Sequence, residues 1–185
     1  MYLDPPWQYR DKALAGNRGA ECKYPVLTIQ QLKELPVPDI ADTNCLLFMW
    51  ITMPKLNKVF SLIESWEFAY KTAAFTWVKQ NKKSDGWFWG MGRWTRANAE
   101  LCLLATKGKP QRVNAGVSSL IVSHLREHSQ KPDEARDRIV QLVGDIPRIE
   151  LFARRRFPGW YAWGNELEPS NKVEEEVYRI LGGNN

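Results

Sequence analysis

The run NCLLFMWIT, residues 44–52, holds seven consecutive apolar side chains, Cys45 to Ile51. That length suits a strand and falls far short of the roughly 20 residues a membrane helix needs. The run is continuous rather than alternating, the pattern of a strand buried on both faces, as in a parallel sheet. PKLNKVFSLIESW follows, with Pro54 placed to open a helix and Leu56, Val59, Phe60 and Ile63 at helical spacing. AYKTAAFTWVKQ then reads as a strand, residues 81–97 as a long loop, AELCLLATKG as an apolar strand closed by Gly108, and SLIVS as a short strand. KPDEARDRIVQLVGD predicts a helix, with Pro132 at its start, Asp133 and Glu134 in its first turn and Gly144 past its end. RIELFAR and GWYAWGNEL predict two more strands, and KVEEEVYRILGG an amphipathic closing helix. Strands alternating with helices predict a doubly wound α/β sheet with helices on both faces. Ligands of such sheets bind beyond the carboxyl ends of the strands. The loops after Leu3, Thr52, Phe152 and Leu167 are therefore the ones expected to matter.

The chain of 185 residues is 44% hydrophobic and 25% charged, as expected of one globular domain spanning residues 1–185. Its net charge of +5 permits an anionic partner without demanding one. GRWTRA, KGKPQR and RRRF concentrate the basic residues. Cys22, Cys45 and Cys102 are odd in number and widely spaced, which predicts free thiols in a reducing, cytoplasmic compartment. No basic-then-apolar leader precedes Asp4. Nine tryptophans are present, five of them between Trp66 and Trp94. Core packing accounts for some, but DGWFWGMGRW (85–94) is interrupted by glycines and reads as an aromatic loop offering flat faces for stacking.

Asp4-Pro5-Pro6-Trp7 stands directly after a short apolar start, so it would sit at a strand's carboxyl end. An ionised Asp4 only accepts hydrogen bonds. Pro5 has no N–H, and Pro6 holds Pro5 out of the helical region, leaving the Pro5 carbonyl as a second fixed acceptor. Trp7 adds a flat apolar face. Two acceptors beside such a platform match an exocyclic amine on a planar base, whose two N–H groups they would take. Accepting both bonds favours a pyramidal nitrogen with its lone pair free to attack a methyl sulfonium, a gain of orientation and electrostatics.

DPPW, KYPVLT, LLFMWIT, AAFTWVK, AELCLLATKGKPQ, SQKPDE, IELFARR and WYAWGNEL, in that order, resemble the DPPW-type N(6)-adenine methyltransferases. That family contains the catalytic subunit of the eukaryotic mRNA adenosine methyltransferase and many phage and bacterial DNA adenine methyltransferases. The resemblance runs from Tyr2 to about Leu167. It implies a Rossmann-like fold using S-adenosylmethionine, with the permuted motif order in which the catalytic half leads. It implies that Asp4 and the Pro5 carbonyl bind the adenine N6 amine, that Trp7 shapes or stacks on the base, and that Asp4 also meets the cofactor's ammonium group. Tyr24 of KYPVLT either covers the target base or anchors its loop. Glu100 is either an acid near the base or a strand-edge charge. Lys131 of SQKP takes the place of a lysine that meets the cofactor carboxylate. Arg154 matches a ribose contact, while Arg156 and Phe157 stand where the mRNA enzyme carries histidine and asparagine. Asn165 and Glu166 are the remaining ribose contacts, Glu166 replacing a glutamine with a carboxylate that can accept from both hydroxyls. The strand before DPPW must be very short, unless the cofactor-adenine pocket is completed otherwise or the start is truncated.

The resemblance makes nucleic acid the partner, with DNA favoured over RNA, in a bacterial or phage-infected cell. A duplex target would need its adenine flipped out. Loops 8–26 and 81–97, through Arg93, Trp94 and Arg96, together with Lys107, are the expected grips, solvated loop decoration being the plain alternative for each. So limited a reading surface suits a short recognition motif or a homodimer. Two other functions stand against this one: a non-catalytic methyltransferase-like binding subunit, against which the intact tetrapeptide argues, and a zinc hydrolase through HLREH, whose His124 and His128 match H-x-x-E-H but find no third histidine.

Overall fold

The computed structural model describes residues 1–8, 26–92, 94–127 and 129–182. Seven strands form one sheet: β1 (Tyr2–Leu3), β2 (Cys45–Ile51), β3 (Ala69–Gln80), β4 (Glu100–Lys107), β5 (Leu120–His124), β6 (Ile149–Leu151) and β7 (Tyr161–Trp163), in the order β5-β3-β4-β2-β1-β6-β7. The strand before the tetrapeptide is two residues long, yet it lies between β2 and β6, parallel to both. β7 continues parallel beyond β6, and β5 lies parallel to β3.

The sheet is not parallel throughout. β4 runs antiparallel to both β2 and β3, with Ile51 opposite Leu101 and Trp77 opposite Glu100. The apolar run of β2, which has one parallel and one antiparallel neighbour, thus reflects cover on both faces. Leu47, Met49 and Ile51 point into one core and Phe48 and Trp50 into the other, as Leu3 and Tyr2 do on β1. The first core takes α1 (Ile29–Glu34), α3 (Leu56–Ser65) and α5 (Lys172–Leu181). The second takes α4 (Glu134–Val143), which buries Ala135, Ile139 and Val143 against Phe75, Trp77 and Ile121. Each fully buried large side chain contributes about 1.5–3 kcal/mol over its exposed state.

Local signals account for the helix ends. Thr28 caps α1 in a reciprocal pair with Gln31, and Asn171 caps α5 through the Glu174 N–H. A short helix α2 (Val37–Ile40) follows α1, and a 3-10 turn, Met53–Lys55, precedes α3. α4 starts at Glu134, with Asp133 as its cap, and ends at Gly144, whose φ is +77°. β7 is shorter than GWYAWGNEL predicts. The Tyr178 hydroxyl accepts from Gly164 N–H and lies within hydrogen-bond distance of the Gly164 and Leu167 carbonyls at 3.0 and 2.7 Å, which turns the chain off the sheet after Trp163. Among the described residues no helix is long and apolar enough to cross a membrane.

Candidate active site

The strand directions bring one edge of the sheet together. β1, β2, β3, β5, β6 and β7 all end there, and β4 begins there. Asp4 follows β1, Glu100 opens β4, and Lys131 lies between β5 and α4. The Lys131 ammonium, only 8% exposed, sits 2.7 Å from Asp4 Oδ2 and 3.3 Å from Glu100 Oε2. Asp4, 33% exposed, presents its carboxylate at the opening. The Lys131 ammonium also lies 5.9 Å from the ring centre of Trp50.

The environments of the two carboxylates differ. Burial pushes Asp4 above its ordinary value, against the pull of Lys131. Burial pushes Glu100 the same way, but Lys131 and Lys79 outweigh it and hold Glu100 below its ordinary value. Burial opposes the Lys131 charge, and the two carboxylates overcome it, so this lysine stays protonated. One site thus holds a carboxylate inclined to take a proton beside one inclined to stay ionised.

The tetrapeptide is partly spent on its own fold. Trp7 N–H donates to the Pro5 carbonyl at 2.8 Å, and Leu27 N–H to that of Pro6 at 2.8 Å. The Pro5 oxygen retains its second lone pair. Trp7 is buried in the first core, its indole N–H donating to Trp50 O at 3.4 Å, so it is packed into the fold behind Asp4 instead of standing free.

Arg154 and Glu166 meet across the loops after β6 and β7, Nε to Oε1 at 3.5 Å, with Asn165 exposed in the same turn as Glu166. Phe152 takes a φ of +60° as the chain leaves β6, bringing Ala153 N–H to Trp163 O at 2.9 Å. Arg156 lies elsewhere. Its Nη1 binds both Glu174 oxygens, at 2.6 and 2.8 Å, and its Nη2 donates to Glu168 O. Glu174 is fully buried and also accepts from Ala162 N–H, Ser170 N–H and Ser170 Oγ. Arg156 therefore ties its loop to α5 rather than being presented to a ribose. Phe157 packs against the Arg136 guanidinium, 3.7 Å from the ring centre.

Lys107 is at the wrong end of the molecule for the role expected of it. β4 carries it to the opposite edge, roughly 23 Å from Glu100 at strand rise, where it pairs with Glu67 at 2.9 Å. Trp94 and Arg96 are exposed in the loop before β4, Trp94 to 93%. That loop is folded back on itself, through Gln80–Trp87 and Gly90–Ala97 bridges. Tyr24, Arg93 and residues 9–25 of the expected grip at 8–26 lie outside the described residues. HLREH does not form the helix a zinc pair would need: His124 ends β5, with Nδ1 2.7 Å from Asn81 O and Nε2 3.3 Å from Asp85, and Leu125 and Arg126 continue as non-helical chain. His128 lies outside the described residues, among which no cluster of three metal-ligating side chains occurs.

Sequence reasoning missed Lys79, which donates to Glu100 Oε1 at 2.5 Å. Its signal was spacing: two residues after Trp77 on β3, it shares the face of the strand that pairs with Glu100. A cavity of about 550 Å³ lined by Arg148, Arg156, Tyr161 and Glu174 lies at the starting ends of β6 and β7, away from Asp4. Its arginines are already paired, Arg148 with Asp145 and Arg156 with Glu174.

The residues at the opening suit S-adenosylmethionine. Lys131 offers a cation for its carboxylate, Asp4 an anion for its ammonium, and Glu166 acceptors for a ribose diol, while the buried Glu100 Oε2 has no hydrogen-bond donor of its own. The MT-A70 family matches residues 1–166. The chain is 38% identical to the Type II methyltransferase M.MunI of a Mycoplasma species, over 94% of this chain and 79% of that protein. It is 30% identical to the human N(6)-adenosine-methyltransferase catalytic subunit METTL3 and to the zebrafish METTL3 subunit, over 96% of this chain but only 29% of each of those proteins. A match over so much of its length, with the tetrapeptide at the carboxyl end of an interior strand, means that the chain belongs to the MT-A70 family.

Proposed function

We propose that this chain transfers a methyl group from S-adenosylmethionine to the N6 amine of adenine in DNA. The observation that carries the reading is the Asp4–Lys131–Glu100 cluster at the mouth of the edge where the parallel strands end. DNA is preferred because identity, and the share of the relative's own length that is matched, are greater with the Type II methyltransferase than with the subunits named for adenosine.

When bound, the cofactor supplies a methyl group on a positively charged sulfur. Lys131 would hold its carboxylate, and Arg154, Asn165 and Glu166 its ribose. The chain's own part is orientation. Asp4 and the open lone pair of the Pro5 carbonyl accept the two N–H bonds of the amine and turn its lone pair outward. Trp7 walls the base, and Trp94 and Arg96 grip the strand beside it. The amine must shed one proton after transfer, and Asp4, with its affinity for protons raised by burial, is the acceptor in place.

The test is methyl transfer by the parent and by Asp4→Asn to matched DNA and RNA pools, with the modified base mapped. Methylation at adenine N6 in DNA, falling about 100- to 1,000-fold in the variant, is expected. Transfer to RNA alone would replace the substrate, and an Asp4→Asn protein as active as the parent would remove the mechanism.

A further inference from the structure

We propose that Lys79 is the positioning residue for Glu100, holding its carboxylate by one oxygen so that Lys131 stays with Asp4 at the opening. This rests on the N6-adenine reading of the same site. The Lys79 ammonium lies 2.5 Å from Glu100 Oε1 and is 13% exposed. It is boxed by aromatic rings, 5.2 Å from the centre of Trp77 and 5.9 Å from that of Phe88. Its backbone is clamped as well. Asn98 accepts from Lys79 N–H at 2.8 Å and donates to Lys79 O at 2.9 Å, and Phe88 N–H donates to the same carbonyl at 3.0 Å. A lysine held this tightly cannot follow a moving carboxylate, so the carboxylate must stay with it.

The consequence falls on Glu100 Oε2. It is buried without a hydrogen bond, within ion-pair range of Lys131 but not aligned with it. The charged groups facing Glu100 among the described residues are Lys79 on β3, Lys131 before α4, and Asp4 after β1 across Lys131, with Arg154 acting on Asp4 from beyond. Without Lys79, a single ammonium would serve two carboxylates. Glu100 would turn to Lys131 and draw it from Asp4, displacing the cation offered to the cofactor carboxylate and loosening the Asp4 carboxylate.

The experiment compares the parent with Lys79→Met, which keeps the apolar stem, and Lys79→Arg, which keeps the charge. The Glu100 carboxyl is followed by carbon NMR titration and assigned with Glu100→Gln. Losing a nearby cation raises a carboxylate's pKa, so in Lys79→Met this carboxyl is expected to titrate about one pH unit or more higher. Lys79→Arg restores it. The acid limb of kcat/KM moves up in step, kcat falls about tenfold or more, and KM for the cofactor rises as Lys131 leaves its place. An unmoved titration overturns the proposal, as does a Lys79→Arg protein no better than Lys79→Met. A parent without N6 transfer defeats the functional reading instead, because the titration reports on the pair without turnover. If Lys79→Met does not fold, nitrogen NMR of the parent decides: a slowly exchanging Lys79 ammonium is expected, and one exchanging like a surface lysine refutes the proposal.

Discussion

Replacing Arg156 with methionine separates an anchor from a ligand contact. The guanidinium meets both oxygens of Glu174, at 2.6 and 2.8 Å, and Glu174 is wholly buried. Burial alone would raise the Glu174 carboxyl, but Arg156, Ser170 and the Ala162 amide hold it down, from 4.5 to about 2. At about 1.4 kcal/mol for each pH unit, that favours the folded state by about 3 kcal/mol near neutrality. Its folded value lies below its unfolded one, so the contribution is complete above about pH 4.5 and drains away as pH falls towards 2. Breaking a buried pair costs about 3–5 kcal/mol. Arg156 is 35% exposed, and solvent screening puts the expected loss at the lower end, about 3 kcal/mol. For a chain of this size that is roughly 6–12 °C in Tm. The assay is thermal unfolding at pH 7 and at pH 3, beside cofactor binding by calorimetry at a temperature where both proteins are folded. The Tm gap should narrow at pH 3, and cofactor affinity should change little. A Tm within a degree or two of the parent, with cofactor affinity collapsed, would refute the reasoning and return Arg156 to the ribose.

Gly164→Ala should destabilise by about 1–3 kcal/mol, because a Cβ there would stand 2.0 Å from the Ala153 carbonyl oxygen; chemical denaturation measures it. Trp94→Ala should leave stability within about 0.5 kcal/mol but weaken oligonucleotide binding by about 1–3 kcal/mol, read by fluorescence titration, since the ring is almost wholly exposed. Lys107→Ala should leave oligonucleotide affinity unchanged in the same titration, because the residue lies on the far edge; a loss equal to that of Trp94→Ala would contradict the placement.

Most elements were legible because burial on two faces, helical spacing and capping leave local marks, as in residues 44–52 and around Asn171. The direction of β4 was not, since side chains alternate identically in parallel and antiparallel strands. That reversal explains one expected site residue misplaced and one missed. It carries Lys107 away from the edge where Glu100 begins, and it aligns Lys79 with Glu100 across a pairing no local pattern encodes. Arg156 was misread for want of its partner. Glu174 shares the i, i+3, i+4, i+7 stripe of Val177, Tyr178 and Leu181, so its burial was readable, but charge suggested solvent. The cluster of Asp4, Glu100 and Lys131 was legible as separate motifs. Its assembly was not, because it depends on three connections that run over both faces of the sheet.

The reversal of β4 also makes the molecule modular. Glu100 keeps its height through a seven-rung ladder with β2, from Cys45–Lys107 to Ile51–Leu101. Asn98 and Phe88 fasten the root of the preceding loop to Lys79. Beyond Trp89, the outer part of that loop has little bearing on where the acid sits. Under the function proposed above, substitutions at its described tip, such as Trp94 and Arg96, are expected to alter oligonucleotide binding before they alter the placement of Glu100.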